Sequence, residues 1–150
     1  MADIKISQIT AKSSNLASTD LFAIAESDGS GGFASKKISG AEITKGITEI
    51  DFNTQSATYT LVLDDQNKVV EVNNGSANEI IVPLNSAVAF PIGTKILVAQ
   101  LGAGQTTIGK SVGVTLFSQG NKLKLVGQYS IATLIKKSTN TWYLFGDITT

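Results

Sequence analysis

From about residue 51 onward the chain alternates apolar and polar positions in short bursts. The segments "TYTLVL", "KVVEVN", "NEIIVP", "TKILVAQL", "QTTIG", "VGVTLFS", "KLKLV", "SIATLIKK" and "TWYLFG" succeed one another, each bounded by Gly, Asn, Asp or Pro. Period-two alternation is the mark of a strand with one buried face. Turn residues recurring about every 8 to 12 positions predict a mainly β fold, an antiparallel β-sandwich or barrel of short strands. "DDQN" between the first two segments predicts a hairpin. "PLNSAVAFPIG" (83–93), bracketed by Pro83 and Pro91, predicts a loop with one helical turn crossing an end of the sandwich.

Before residue 51 the texture differs, which divides the chain into residues 1–50 and 51–150. In "ADIKISQIT" the apolar Ile4 and Ile6 alternate with Lys5 and Ser7, as on an extended arm that lies on another surface. "STDLFAIAE" (18–26) and "FASKKIS" (33–39) flank the Gly-rich "SDGSGG", the pattern of a hairpin with a loose tip. Ser39 with Glu42 three positions later is a capping-box arrangement and predicts one short helix over 39–47, ended by Gly46.

Several strands carry apolar residues on both faces. In "TWYLFG" Trp142 and Leu144 oppose Tyr143 and Phe145; in "SIATLIKK" Ile131 and Ile135 oppose Leu134. One face fills the core. The other needs a cover, either a second layer within the chain or a neighbouring copy, and periodicity alone leaves both open. "KLKLV" differs, because Lys122 and Lys124 make a wet face opposite Leu123 and Leu125.

Composition narrows the class of function. With 150 residues, 42% of them hydrophobic and 16% charged, the chain suits one folded domain with an arm. The net charge is +0 and all 12 basic residues are lysines, which argues against a nucleic-acid partner, since phosphate recognition leans on Arg and on excess positive charge. Without Cys or His there are no disulfides or thiol metal sites, and the usual transition-metal ligand and neutral-pH proton carrier are missing. No cofactor is expected. No apolar run approaches the roughly 18 residues that span a bilayer, and "MADIKISQIT" lacks a secretory pattern, so the expectation is synthesis in a cytoplasm with no membrane partner.

One motif tests that picture. "GQTTIGKS" (104–111) satisfies the phosphate-binding pattern GxxxxGK[ST] through Gly104, Gly109, Lys110 and Ser111. Such a loop needs a helix beginning at the Lys, whose N-terminus meets the phosphate. The residues after Ser111 are "VGVTLFSQGNKLKLV", β-branched, Gly-interrupted and without helical periodicity. The expectation is a glycine turn between strands.

Other chemistry is thin. Glycan hydrolysis needs two carboxylates facing across a cleft. Asp64 and Asp65 are adjacent in a turn and diverge, while Asp51, Glu71 and Glu79 cannot be brought together from sequence. Tyr129, Trp142 and Tyr143 are candidates for a subunit interface or for stacking on a sugar ring.

The opening "ADIKISQIT", then "STDLFAIAE", "GGFASKKIS" and "AEI", resembles the start of many small virion proteins of tailed bacteriophages. "IIVPLNSAVAFPIGTKILVAQLGAGQTTI" with "GVTLFSQGNKLKLVGQYSIATLIKKSTNTWYLFGDI" resembles the β module of phage head-fibre and tail-fibre proteins. The resemblance spans almost the whole chain and rests on turn residues and strand endings. It implies a non-enzymatic homotrimer in the virion, attached to capsid or tail proteins through the N-terminal segment, with Ile4, Ile6, Ile9, Leu21, Phe22 and Ile24 as docking candidates. The absence of a long shaft favours a head fibre or capsid decoration over a receptor-reaching tail fibre. The alternative it leaves is a tail-fibre protein or adaptor, or a carbohydrate-binding module that contacts a glycan on the bacterial surface.

Overall fold

The computed structural model describes residues 21–27, 33–39 and 49–150. The chain divides into two units, Met1–Glu49 and Ile50–Thr150. In the first, strands β1 (Leu21–Ser27) and β2 (Phe33–Ser39) pair antiparallel, with Leu21 opposite Ser39 and Ser27 opposite Phe33, as expected of the two runs around the Gly-rich tip. The arm with Ile4, Ile6 and Ile9, and residues 40–47 of the expected helix, lie outside the described residues; its expected cap, Ser39, ends β2.

The second unit is a β-sandwich. Its strands are β3 (Phe52–Gln55), β4 (Tyr59–Thr60), β5 (Val69–Val72), β6 (Asn78–Val82), β7 (Lys95–Gln100), β8 (Thr106–Lys110), β9 (Thr115–Ser118), β10 (Lys124–Leu125), β11 (Ile131–Ser138), β12 (Thr141–Gly146) and β13 (Ile148–Thr149). They form a six-stranded sheet, β3-β5-β7-β11-β12-β9, and a five-stranded sheet, β13-β10-β8-β6-β4. Every strand expected from residue 51 onward is present; β3 and β13 are additional.

The ladders are mixed. From β3 to β8 successive strands alternate between the two sheets, so that β3, β5 and β7 run parallel in one sheet and β4, β6 and β8 run parallel in the other. Parallel neighbours need a crossover, and here the strand in the opposite sheet supplies it without a helix. The result is three stacked rungs: β3–β4, β5–β6 and β7–β8. For the same reason the expected hairpin around "DDQN" does not form; β4 and β5 belong to different sheets, and a 3-10 turn at Leu63–Asp65 lies between them. Beyond β8 the pairing turns largely antiparallel, with β11 against β7 and β12 against β11, while β9 runs parallel to β12 at the edge.

Between the second and third rungs the corners stack as closely as the strands. Gly104 donates its N–H to the carbonyl of Asn74, 2.9 Å, and the N–H groups of Leu101 and Gly102 both reach the carbonyl of Val72. A Cβ on Gly104 would lie 2.1 Å from the backbone oxygen of Ser76, and one on Gly102 would lie 2.1 Å from that of Asn74. Glycine is required at both because two backbones touch there.

Between the sheets lies one apolar core: Leu61, Val70, Val72, Ile80, Val82, Phe90, Ile96, Val98, Ile108, Leu125, Leu134, Trp142 and Leu144 are all buried within it. The 83–93 segment turns through bonds from Ala87 and Val88 to the Leu84 carbonyl and drives Phe90 edge-on into Trp142, with centroids 5.5 Å apart. It closes one end of the sandwich, as its two prolines and its apolar content suggest. Among the described residues no helix is long and apolar enough to cross a membrane.

Candidate functional site

The two outer faces of the sandwich differ in chemistry. On the five-stranded sheet the outward positions are Thr60, Glu79, Ile81, Thr107, Gly109, Lys124 and Thr149, a largely polar set. On the six-stranded sheet the cross-strand neighbours Phe52, Val69, Leu97, Thr133 and Phe145 form one continuous outward row. A second row joins Ile135 to Tyr143 and Tyr143 to Phe117. Phe52 is 65% exposed, Phe145 50%, Phe117 49% and Tyr143 41%.

Strand alternation places these side chains outward, since the intervening Trp142, Leu144, Leu134 and Val98 fill the core. Side-chain contacts along the rows hold the patch in shape. The rings of Phe117 and Tyr143 lie 6.0 Å apart, and the Lys137 ammonium sits 5.4 Å and 5.2 Å from their centroids. Lys137 comes directly after the inward-facing Lys136, at an irregularity in the β11–β12 register between Lys136 and Ser138. Charge lies towards the margins: Glu71, bonded by Thr54, towards one end of the strands, and Lys95 and Lys137 towards the other. The middle is apolar.

Of the aromatic candidates, Tyr143 lies on this face. Trp142 does not: at 1% exposure it is core, packed on Phe90, and it can neither stack on a sugar nor touch a sister subunit. Its neighbour in sequence is outward for the same reason that it is inward, the two-residue period of the strand. Tyr129, 74% exposed, stands elsewhere, at the rim of a shallow cleft lined by Val126, Gly127, Gln128, Ser130 and Asp147. The docking candidates Leu21, Phe22 and Ile24 lie within β1, in the other unit.

The phosphate-loop pattern dissolves into the rungs. Strand β8 runs from Thr106 straight through Gly109 to Lys110, and it leads into a turn at Val112–Gly113 where a phosphate loop requires a helix. Gly109 lies under the side chain of Glu79, where a Cβ would meet the carboxylate oxygen at 2.0 Å, and Lys110 donates to the Val114 carbonyl, 2.9 Å. A carboxylate stands where a phosphate would have to enter. The adjacent Asp64 and Asp65 diverge: Asp64 is exposed and pairs with Lys68, 2.7 Å, while Asp65 is buried and accepts bonds from Asn53, Tyr59 and the Val62 N–H at 2.6, 3.0 and 2.8 Å. Asp65 thus ties the first rung to the turn that leaves it. Among the described residues no three His, Cys, Asp or Glu side chains cluster to hold a metal ion.

One lysine is buried, which its residue type does not announce. Lys136 is 2% exposed and points into the sandwich end, where its ammonium donates to Asn85 Oδ1 and to the Phe90 carbonyl, 2.7 Å, beside the Trp142 ring. Burial pushes its pKa below the ordinary lysine value. Its position at an inward step of β11, in line with Ala132 and Leu134, was the available signal. Comparison with protein-family models and with curated proteins finds no match to this chain.

Proposed function

We propose that this chain is a non-enzymatic structural protein of a bacteriophage particle, a short homotrimeric fibre or capsid decoration that docks on a partner virion protein through its N-terminal segment. The observation that carries the assembly part is the outward row Phe52–Val69–Leu97–Thr133–Phe145 with the adjoining Tyr143–Phe117 pair. The five-stranded sheet already covers the inner face of these strands, so no second layer within the unit is left for the outer one. Sister copies meeting apolar middle to apolar middle would remove it from water, at about 25 cal/mol for each Å² buried. The sequence resemblance supplies the virion context and the number three.

The native mass of the purified full-length chain, measured by sedimentation, tests the assembly. The expected result is a trimer. The double substitution Tyr143→Lys with Phe145→Lys should leave the circular dichroism unchanged and yield monomers; a monomeric wild type, or a variant that still trimerises, refutes this use of the face. Removing the first 20 residues tests docking separately. The shortened chain should stay folded and fail to join particles.

A further inference from the structure

We propose that the cleft between Tyr129 and Asp147 is a binding site for a neutral saccharide, one pyranose ring stacking on Tyr129 while its hydroxyls donate to the Asp147 carboxylate. The cleft has a volume of about 300 Å³ and is open to solvent, at the small end of the range for ligand sites and suited to a single sugar ring.

Its walls are built from backbone. The Tyr129 N–H donates to the Gln100 carbonyl at 2.6 Å, and the Gln100 N–H to the Ser130 carbonyl at 3.1 Å. Gln100 is itself buried, its side chain bonded to the Gly102 carbonyl and to the Thr106 N–H, so the turn is anchored to the stacked corners. On the opposite wall the Val126 N–H reaches the Asp147 carbonyl, and the Asp147 N–H reaches the Ile131 carbonyl. Both rims are therefore held in place before any ligand arrives, which limits the entropy lost on binding.

The side chains facing this frame suit a polyol. Tyr129 adopts φ 67°, a left-handed backbone uncommon for a bulky residue, and the residue is 74% exposed. An aromatic ring held in solvent offers the flat apolar surface on which the C–H face of a sugar stacks. Asp147 carries both its backbone bonds on the wall, while its carboxylate has no hydrogen-bond or ion-pair partner among the described residues and can accept from two hydroxyls. Gly127 lines the same cleft, and a Cβ there would meet nothing within 4 Å. Gln128 is fastened through its amide nitrogen to the Leu101 carbonyl, which leaves its oxygen as a further acceptor. Acceptors outnumber cationic donors around the cleft, which favours a neutral sugar over an anionic one. A lone carboxylate is too few ligands for a divalent cation.

The proposal is independent of the assembly face, and its test is separable from that one. The full-length ¹⁵N-labelled protein is titrated with the methyl glycosides of glucose, galactose, mannose and N-acetylglucosamine. Saturable shifts at the amides of Gly127, Tyr129 and Asp147 are expected with at least one of them. Tyr129→Gly suits the left-handed backbone, so the fold and the native mass are kept while binding is lost; Tyr129→Phe retains it, and Asp147→Asn weakens it about tenfold. The proposal is overturned if none of the four glycosides saturates, or if Tyr129→Gly binds as wild type. It is equally overturned if Tyr129→Gly lowers the native mass, which would make the ring a subunit contact.

Discussion

The ammonium of Lys136 donates a 2.7 Å hydrogen bond to the carbonyl of Phe90, and thereby fastens the segment 83–93 to the end of the sandwich. A second bond to Asn85 fixes the start of that segment, whose N–H is in turn held by Asn140 Oδ1 at 3.0 Å. Both acceptors are neutral, so the charge is buried without an anion. Such a group is more easily protonated in the unfolded chain.

The signs of three shifts set how stability depends on pH. Burial lowers Lys136 below 10.5, so the folded state binds this proton less tightly than the unfolded chain, and stability rises with pH between its folded value and 10.5. Tyr59 works in the opposite sense. Burial, and then the bond to Asp65, raise its hydroxyl above 10.0, so the folded state is weakened once the pH passes 10.0. Lys68, raised by its bond to Asp64, loses its contribution as the pH climbs through its folded value, above 10.5. Urea midpoints should therefore climb once the pH passes the lowered folded value of Lys136 and fall beyond about pH 10, where Tyr59 begins to act. Lys136→Met should flatten the climb and leave the fall; a wild-type curve with no climb at any pH below about 10 would contradict the assignment.

Asp65 and Asp64 should behave oppositely despite being adjacent. Asp65→Ala strands the Asn53 amide, the Tyr59 hydroxyl and the Val62 N–H, and should cost about 3 kcal/mol. Asp64→Ala breaks one exposed ion pair and should fall within the error of urea denaturation. Equal losses from the two variants would mean that the buried network does not hold the first rung.

Glycine substitutions should rank by what the new Cβ meets. Gly104→Ala drives it into the Ser76 backbone and should destabilise by about 3 kcal/mol or more, because neither corner can yield without breaking the stack. Gly109→Ala meets the flexible end of Glu79 and should cost less, while at Gly75 a Cβ meets nothing within 4 Å. Thermal melts of the three variants decide the order. In parallel, Lys110→Ala should leave the response to ATP identical to wild type, with no thermal shift in either.

Trp142 and Tyr143 separate stability from assembly. Trp142→Ala empties the centre of the core beside Phe90 and should cost about 3–5 kcal/mol, read from chemical denaturation. Tyr143→Ala should shift the native mass and lower the midpoint only by the part that depends on protein concentration. If Tyr143→Ala lowers the midpoint at every protein concentration while the native mass stays as in the wild type, the outward aromatic pair belongs to the fold and not to an interface.

Much of this was legible along the chain. Period-two alternation marks which residues of β11 and β12 go inward, so Leu134 and Leu144 separate from Ile131, Tyr143 and Phe145 on spacing alone. The Gly-rich run in residues 27–32 likewise announces the pairing of β1 with β2, since the two β-prone runs are near neighbours along the chain. Trp142 was harder to assign because its type is compatible with core, interface and ligand alike. Period two also puts Lys136 on the inward step, but its residue type argues for an outward one, and the acceptors Asn85 and Phe90 that permit its burial lie far away in sequence.

What the sequence determined by itself is eleven of the thirteen strands, all but β3 and β13, and the two-faced character of β11 and β12, because both depend on spacing between near neighbours. Only the tertiary structure decided that β3 to β8 climb as stacked rungs with parallel partners, that Gly102 and Gly104 stand against a second backbone, and that Tyr129 and Asp147 face one cleft. Each of those facts joins residues distant along the chain. A strand's own pattern says which side is apolar but carries no record of the neighbour that will pair with its edge.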